Sequence, residues 1–366
     1  MTSIQDGEEL ALDQAHRNLR DLNVNVVQLD DGDAGGWNPT AAENVASNAT
    51  KDRDTIAYIG DYDSGATATT LPITNRADIL QVSPASSYVG LTDPNPVDQI
   101  GEPGRYYPSG VRTFARLVPS DVKEAVATTS FMRSLGVPSL YVLADDSAPY
   151  DGPFDSAIAP IVASDATKAG ITLAGSAQID TASTIQPAGY AGVAAAIAAT
   201  GASAVFVAAA PGPGAVALWQ ELFRALPSVA LFAPSTLGIG PFLDKLGAAA
   251  ADTYVTSPFL PLDQYPRAAR AVLKLYRREY TTPATAGTLY GYQAMESVLD
   301  AINVAGKRAT DPLDFDRIYF HLGTKDKSVI GRYYITSSGD TSLSKFAGYR
   351  VGAGGTLIEI GRLNAG

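Results

Sequence analysis

Cysteine is absent from the 366 residues, which excludes disulfides, thiolate metal sites and cysteine nucleophiles together. Histidine is almost as scarce. His16 and His321 lie far apart in sequence, so a histidine-based triad or a multi-histidine metal site has little to be built from. Positive charge is in deficit: 27 Lys and Arg stand against 38 Asp and Glu, for a net charge of -11. Adjacent basic pairs occur only at Arg277-Arg278 and Lys307-Arg308, which argues against nucleic acid as a partner. No apolar run reaches the roughly 18 residues that a membrane span needs. The opening MTSIQDGEEL has neither the basic segment nor the apolar core of a signal peptide. A GxxxxGK[ST] phosphate loop is also missing. What is left is 46% hydrophobic and 18% charged, the composition of a folded globular chain long enough for two lobes.

The residues that are present alternate between two patterns. Short apolar runs rich in β-formers predict strands at Val24–Leu29, Thr55–Ile59, Ile79–Val82, Ser139–Leu143, Ile171–Ala177, Ala204–Ala209, Val229–Phe232 and Tyr254–Ser257. Between them, helical spacing predicts Asp6–Leu22, Asn38–Lys51, Asp121–Leu135, Tyr150–Lys168, Tyr190–Ala199 and a helix from about Gly214 to Leu226. Asp6 and Asp121 are placed to cap their helices, and Pro39 suits a first turn. This alternation predicts an α/β fold of doubly wound parallel sheets. From Pro261 the pattern turns mainly helical, with Arg267–Tyr280 and Gly287–Ala305 as the clearest segments.

The stretch from Gly60 to Thr92 carries the most chemistry. The strand Thr55–Ile59 runs into Gly60-Asp61-Tyr62-Asp63-Ser64-Gly65-Ala66-Thr67, where Ser64 is expected to cap a helix starting near Gly65 and ending near Ala77. A second strand, Ile79–Val82, runs into Ser83-Pro84-Ala85-Ser86-Ser87. Two neighbouring βα turns of this composition present amides, hydroxyls and a helix N-terminus to one small volume. Such a volume suits a carboxylate or similar anion.

GDYDSGAT followed about twenty residues on by ILQVSPASS resembles the signature pair of the branched-chain amino acid (Leu/Ile/Val) binding proteins, type I periplasmic binding proteins that serve ABC transporters. The similarity extends to Arg112-Thr113-Phe114-Ala115-Arg116 before Pro119-Ser120-Asp121, to DDSAPYDG around Tyr150, and to Tyr290-Gly291-Tyr292-Gln293-Ala294-Met295. It runs from about Gly7 to the end. The resemblance implies two lobes joined by a three-stranded hinge, lobe 1 being 1–118 plus 260–328 and lobe 2 being 119–259 plus 329–366. It implies a small ligand (amino acid, amide, or aromatic or short carboxylic acid) bound in the interlobe cleft by hinge closure. The implied partner is a membrane permease and the implied location extracytoplasmic. No chemistry on the ligand and no cofactor or metal are expected. Ser64, Ala85 and Ser87 match the positions that hold the ligand carboxylate, with Gly65, Ala66 and Thr67 offering helix N-terminal amides. Tyr150 matches the tyrosine that closes on the ligand from the second lobe, and Tyr62 and Tyr88 are candidates to line the slot.

Two departures accompany the resemblance. The family begins with a strand ahead of its first helix, whereas Asp6–Leu22 already reads as that helix, so lobe 1 is expected to lack its opening strand, through a truncated start in preference to a rearranged lobe. Amino acid binders also place a Glu after a lobe 2 strand to pair the ligand ammonium. Here Ser235 falls at that place, within Ala233-Pro234-Ser235-Thr236. An unpaired buried ammonium costs several kcal/mol. Either Asp61, Asp63 or Asp263 substitutes, or the ligand has no ammonium.

Other readings are weaker on the same residues. Gly212–Ala217 formally fits GxGxxA, but no acidic residue closes the next strand, as a dinucleotide site requires. Ser64 occupies a strand-to-helix turn, yet YDSGA is not GxSxG and neither histidine is placed to serve it. Asp30, Asp31 and Asp33 lack the spaced ligands of a calcium loop and read as a solvated turn. A cytoplasmic ligand-sensing regulator on the same two lobes is the alternative function, with an enzyme behind it.

Overall fold

The computed structural model describes residues 2–15, 23–33, 36–94, 101–145, 147, 152–182, 188–238 and 240–366. The chain forms two compact units, Met1–Ser120 with Leu260–Leu343 and Asp121–Phe259 with Ser344–Gly366; the sequence places the last crossing earlier, near 328. No described helix is long and apolar enough to cross a membrane.

Unit 1 opens on α1 (Thr2–Ala15). The helix starts one turn before the predicted Asp6, so Asp6 is not its cap; its carboxylate accepts a hydrogen bond from the Tyr276 hydroxyl at 2.7 Å. The rest of the predicted helix, 16–22, lies outside the described residues. The predicted strand Val24–Leu29 does not form. Those residues form no regular element, and Val27 is 73% exposed. A β-rich pattern needs an adjacent sheet edge to become a strand, and here it has none. A short hairpin of β1 (Gly32–Asp33) and β2 (Gly36–Trp37) follows.

Next come α2 (Pro39–Lys51), β3 (Ala57–Ile59), α3 (Ser64–Arg76), β4 (Leu80–Ser83) and β5 (Phe114–Arg116). Asn38 caps α2 by accepting from the Ala41 amide, with Pro39 in the first turn. Trp37, Ala42 and Ala66 pack together and tie the hairpin, α2 and α3. Strands β3, β4 and β5 make a three-stranded parallel sheet in that order.

Unit 2 is built on α4 (Asp121–Ser134), β6 (Ser139–Asp145), α5 (Gly152–Asp155), α6 (Ile158–Lys168), β7 (Thr172–Ile179), α7 (Ala188–Thr200), β8 (Ala204–Ala208), α8 (Pro213–Ala225), β9 (Ala230–Ala233), α9 (Gly240–Leu243) and β10 (Thr253–Ser257). After α10 (Arg267–Glu279), α11 (Ala286–Ala305) and α12 (Pro312–Phe320), which belong to unit 1, β11 (Lys345–Val351) and β12 (Leu357–Asn364) complete it. Its sheet runs β12-β11-β10-β9-β8-β6-β7, parallel from β10 to β7 and antiparallel for the final hairpin. An aromatic cluster of Phe131, Phe232 and Tyr254 fixes α4 on this sheet, with Phe131 edge-on to the other two rings. Gly214, part of the GxGxxA match, has a packing role: a side chain there would start 2.0 Å from the Thr181 carbonyl.

Glycine also sets the approach of α1 to α11. A Cβ on Gly7 would lie 2.2 Å from the Thr288 carbonyl, and one on Gly291 would lie 2.1 Å from that of Ile4. The two helices therefore touch backbone to backbone, burying Ile4, Leu10 and Ala11. Gly291→Val is expected to force them apart and cost about 2–4 kcal/mol of unit 1 stability, read as a lowered denaturant midpoint; an unchanged midpoint refutes the close contact.

Candidate functional site

Register brings the site together. In the parallel ladder Ile59 pairs with Val82, and Ser83 with Arg116. The carboxyl ends of β3, β4 and β5 thus finish at one level, and the turns 60–63 and 84–88 emerge side by side. Ligand sites of open α/β sheets lie outside such strand ends.

The first turn leads directly into α3. Asp63, not Ser64, is the residue before the helix, and its side chain makes no capping hydrogen bond. Ser64 is the first helical residue; its Oγ accepts from the Tyr88 amide at 3.2 Å and so couples the two turns. The Thr67 amide is already bonded to the Asp63 carbonyl, which removes it from the expected donors. Gly65 and Ala66 are buried, and their amides have no partner among the described residues. A buried helix start with uncapped amides is a position that calls for an acceptor.

The second turn is held from within. Ser83 Oγ donates to the Asp61 carbonyl at 2.6 Å and accepts from the Ala85 and Ser86 amides at 3.2 and 2.9 Å. Ser86 Oγ lies 2.6 Å from Thr67 Oγ1 and 3.2 Å from the Asp61 carbonyl. Ser87, half-buried, has no side-chain partner among the described residues. Of the predicted carboxylate holders, Ser64, Gly65, Ala66, Ala85 and Ser87 are therefore gathered on these two turns, and the Ala85 amide is partly used by Ser83.

The candidate acids and aromatics sort differently. Asp61 is buried, and its carboxylate accepts from the Tyr58 hydroxyl at 2.6 Å, from Thr70 Oγ1 at 2.5 Å and from Gln81 Nε2 at 3.4 Å. Burial pushes its pKa up to about 6 against the lowering pull of Thr70 and Tyr58. The Asp61 carboxylate is thus engaged with Tyr58, Thr70 and Gln81 beneath the turn. Asp263 is exposed in the short turn 262–264. Tyr88 is buried and spends its hydroxyl on Glu102, so it packs inside unit 1 instead of lining a slot. Tyr62 is half-buried with an interaction of its own. Tyr150 lies outside the described residues.

Two groups escape a sequence reading, the first of them Glu124. In unit 2, Ser235 opens a 3-10 turn after β9, and its amide and hydroxyl bond to the buried Glu124 carboxyl of α4 at 2.5 and 2.6 Å. The second is Arg116, fully buried at the end of β5. It contacts Asp340 through Nε at 2.6 Å, the Ser86 and Tyr88 carbonyls through one terminal nitrogen at 3.3 and 2.7 Å, and Thr92 Oγ1 through the other. An arginine closing the short strand Phe114-Ala115 was the available signal. Among the described residues no group of three or more His, Asp or Glu could hold a metal ion.

Parallel strands thus end beside an uncapped helix start and a hydroxyl-bearing turn. The chain belongs to the periplasmic binding protein family, whose sequence model matches residues 1–321. No curated protein matches it in sequence. Among solved structures it is similar to an ABC transporter substrate-binding protein from Desulfitobacterium hafniense in complex with Leu, at 18% identity and TM-score 0.78, over 98% of this chain and 95% of that one. A leucine-binding protein, LivK, from Thermotoga maritima gives 18% identity and TM-score 0.76 over 99% and 94%. A solute-binding protein from R. palustris in complex with benzoate gives 15% and 0.74 over 99% and 91%. These likenesses establish the type I fold with parallel-sheet lobes.

The Glu124 carboxyl has a consequence for stability. Burial, the largest effect, and the nearby Asp121 raise its pKa to about 8, against the lowering hydrogen bonds from Ser235. The folded protein then keeps a proton that the unfolded chain releases near pH 4.3. Stability from this group is fullest below that value, declines as pH rises toward about 8, and is flat above. Glu124→Gln is expected to flatten the fall in melting temperature between about pH 5 and 8; an equally steep profile in the variant would assign the slope elsewhere.

Proposed function

We propose that the protein is the solute-binding component of an ABC importer and that its ligand carries a carboxylate. The α3 amides of Gly65 and Ala66, the hydroxyls of Ser64 and Ser87 and the backbone at Ala85 receive that carboxylate. The observation that carries this reading is the buried, uncapped start of α3 beside the unpartnered Ser87 hydroxyl. Helix N-terminal amides favour anions, and hydrogen bonds to a charged acceptor are worth about 1.5–3 kcal/mol each. The Ser64 hydroxyl accepts from Tyr88, and its own proton remains for an oxygen of the ligand. The ligands of the D. hafniense and R. palustris proteins, Leu and benzoate, share a carboxylate and little else, which supports the same choice here.

Nothing in the arrangement resembles a nucleophile with its base, so the ligand is bound and released unchanged. The protein works outside the cytoplasmic membrane and hands its ligand to a membrane permease, as its family implies. The family resemblance adds Tyr150 to the residues proposed to contact the ligand, whereas the Ser235 amide and hydroxyl are already given to Glu124.

A thermal-shift panel of leucine, isoleucine, benzoate, 4-hydroxybenzoate and their primary amides tests the proposal. At least one carboxylate is expected to raise the melting temperature, with its amide weaker. Ser64→Ala, Ser87→Ala and Tyr150→Ala should each weaken that ligand about 10-fold by calorimetry while moving the apo melting temperature little. A panel with no stabilising carboxylate, or full affinity in both serine variants, overturns it.

A further inference from the structure

We infer that Arg116, oriented by Asp340 and Thr92, is the positioning residue that sets the Ser86–Tyr88 segment for its ligand and strengthens its donors. The inference rests on the carboxylate reading above. Ser87 sits between two residues whose backbone groups are all taken. The Ser86 amide is bonded to Ser83 and its carbonyl to Arg116; the Tyr88 amide is bonded to Ser64 and its carbonyl to Arg116. One guanidinium nitrogen thus bridges the carbonyls on both sides of Ser87, so the Ser87 side chain has a fixed base while its hydroxyl stays unengaged.

The same contacts act on polarity. The Ser86 carbonyl and the Ser87 amide are one peptide group. A buried cation donating to the carbonyl draws electron density toward that end and makes the amide a stronger donor, since hydrogen bonds in series polarise one another in a low-dielectric interior. Arg116 therefore favours an anion at the turn without touching it.

The guanidinium is itself held. Asp340 takes Nε at 2.6 Å, and Thr92 Oγ1 accepts from the other terminal nitrogen while donating to Asp340 at 3.1 Å. Asp340 belongs to a turn fixed by the hydrogen bonds of Thr336 with the amide and carbonyl of Asp340, and the Arg116 amide bonds to the Gly339 carbonyl at 2.9 Å. The planar fork matters, because lysine keeps the charge but cannot bridge two carbonyls and two side chains in one plane.

Arg116→Lys tests this in the full chain, using the most stabilising carboxylate of the panel as probe. The affinity is expected to fall about 30-fold. Hydrogen exchange of the apo protein should quicken at 85–88, while α3 and the β3–β5 ladder keep their wild-type rates. Because Arg116 is buried and paired, the variant is at risk of misfolding; Thr92→Val, which removes one hydroxyl and no charge, should then give the same pattern with a loss of about 5-fold. Unchanged affinity, or exchange that quickens evenly over unit 1, overturns the inference. Failure of every carboxylate to bind the wild-type protein would instead refute the carboxylate reading, and the exchange rates would still decide what Arg116 holds.

Discussion

The binding face depends on one constraint, the in-register ending of β3, β4 and β5. Ser83 and Arg116 close their strands at the same level and Ile59 one residue before it, and the contacts of the site follow from that. Ser83 can reach the Asp61 carbonyl, Ser64 can reach the Tyr88 amide and Arg116 can reach under both only because the ladder has no slip. A parallel register is enforced by buried side chains on both faces; β4 and β5 are buried at every residue.

On the carboxylate reading proposed above, a net charge of -11 gives no overall field to draw the ligand in. At physiological salt the field is screened beyond about 8 Å, so affinity has to arise from donors a few ångströms away. On that reading the donors are dipoles and not a facing cation: two helix amides, two hydroxyls and a peptide that Arg116 is inferred to polarise from behind. Asp340 neutralises that arginine, so the interior carries a pair and not a bare charge.

Much of this was legible in the residues. The pair GDYDSGAT and SPASS announces its turns through local chemistry: glycine and serine after an apolar run, and serine before proline. Strands β6, β8 and β9 of unit 2 were readable because each is a nearly continuous buried apolar run. Reading failed where the deciding partner is distant in sequence. Val24–Leu29 has the composition of a strand but no edge to join. Ser64 and Asp63 exchange the helix boundary by one residue, a shift within the usual ambiguity of helix ends. Tyr88 resembles a slot-lining aromatic until Glu102, fourteen positions on, is seen to take its hydroxyl. Arg116 needed Asp340 and Thr92, and Glu124 needed Ser235, before either could be assigned anything.

The glycine-lined crossing of α1 and α11 bears on how the protein is made. The first helix finds its backbone-close neighbour only in a segment ending at Ala305, after all of β6 to β10 has been synthesised. During translation α1 must wait with its apolar face uncovered while the intervening unit takes shape, and unit 2 in turn waits for β11 and β12. Neither half can mature vectorially, domain by domain, as simple tandem domains do.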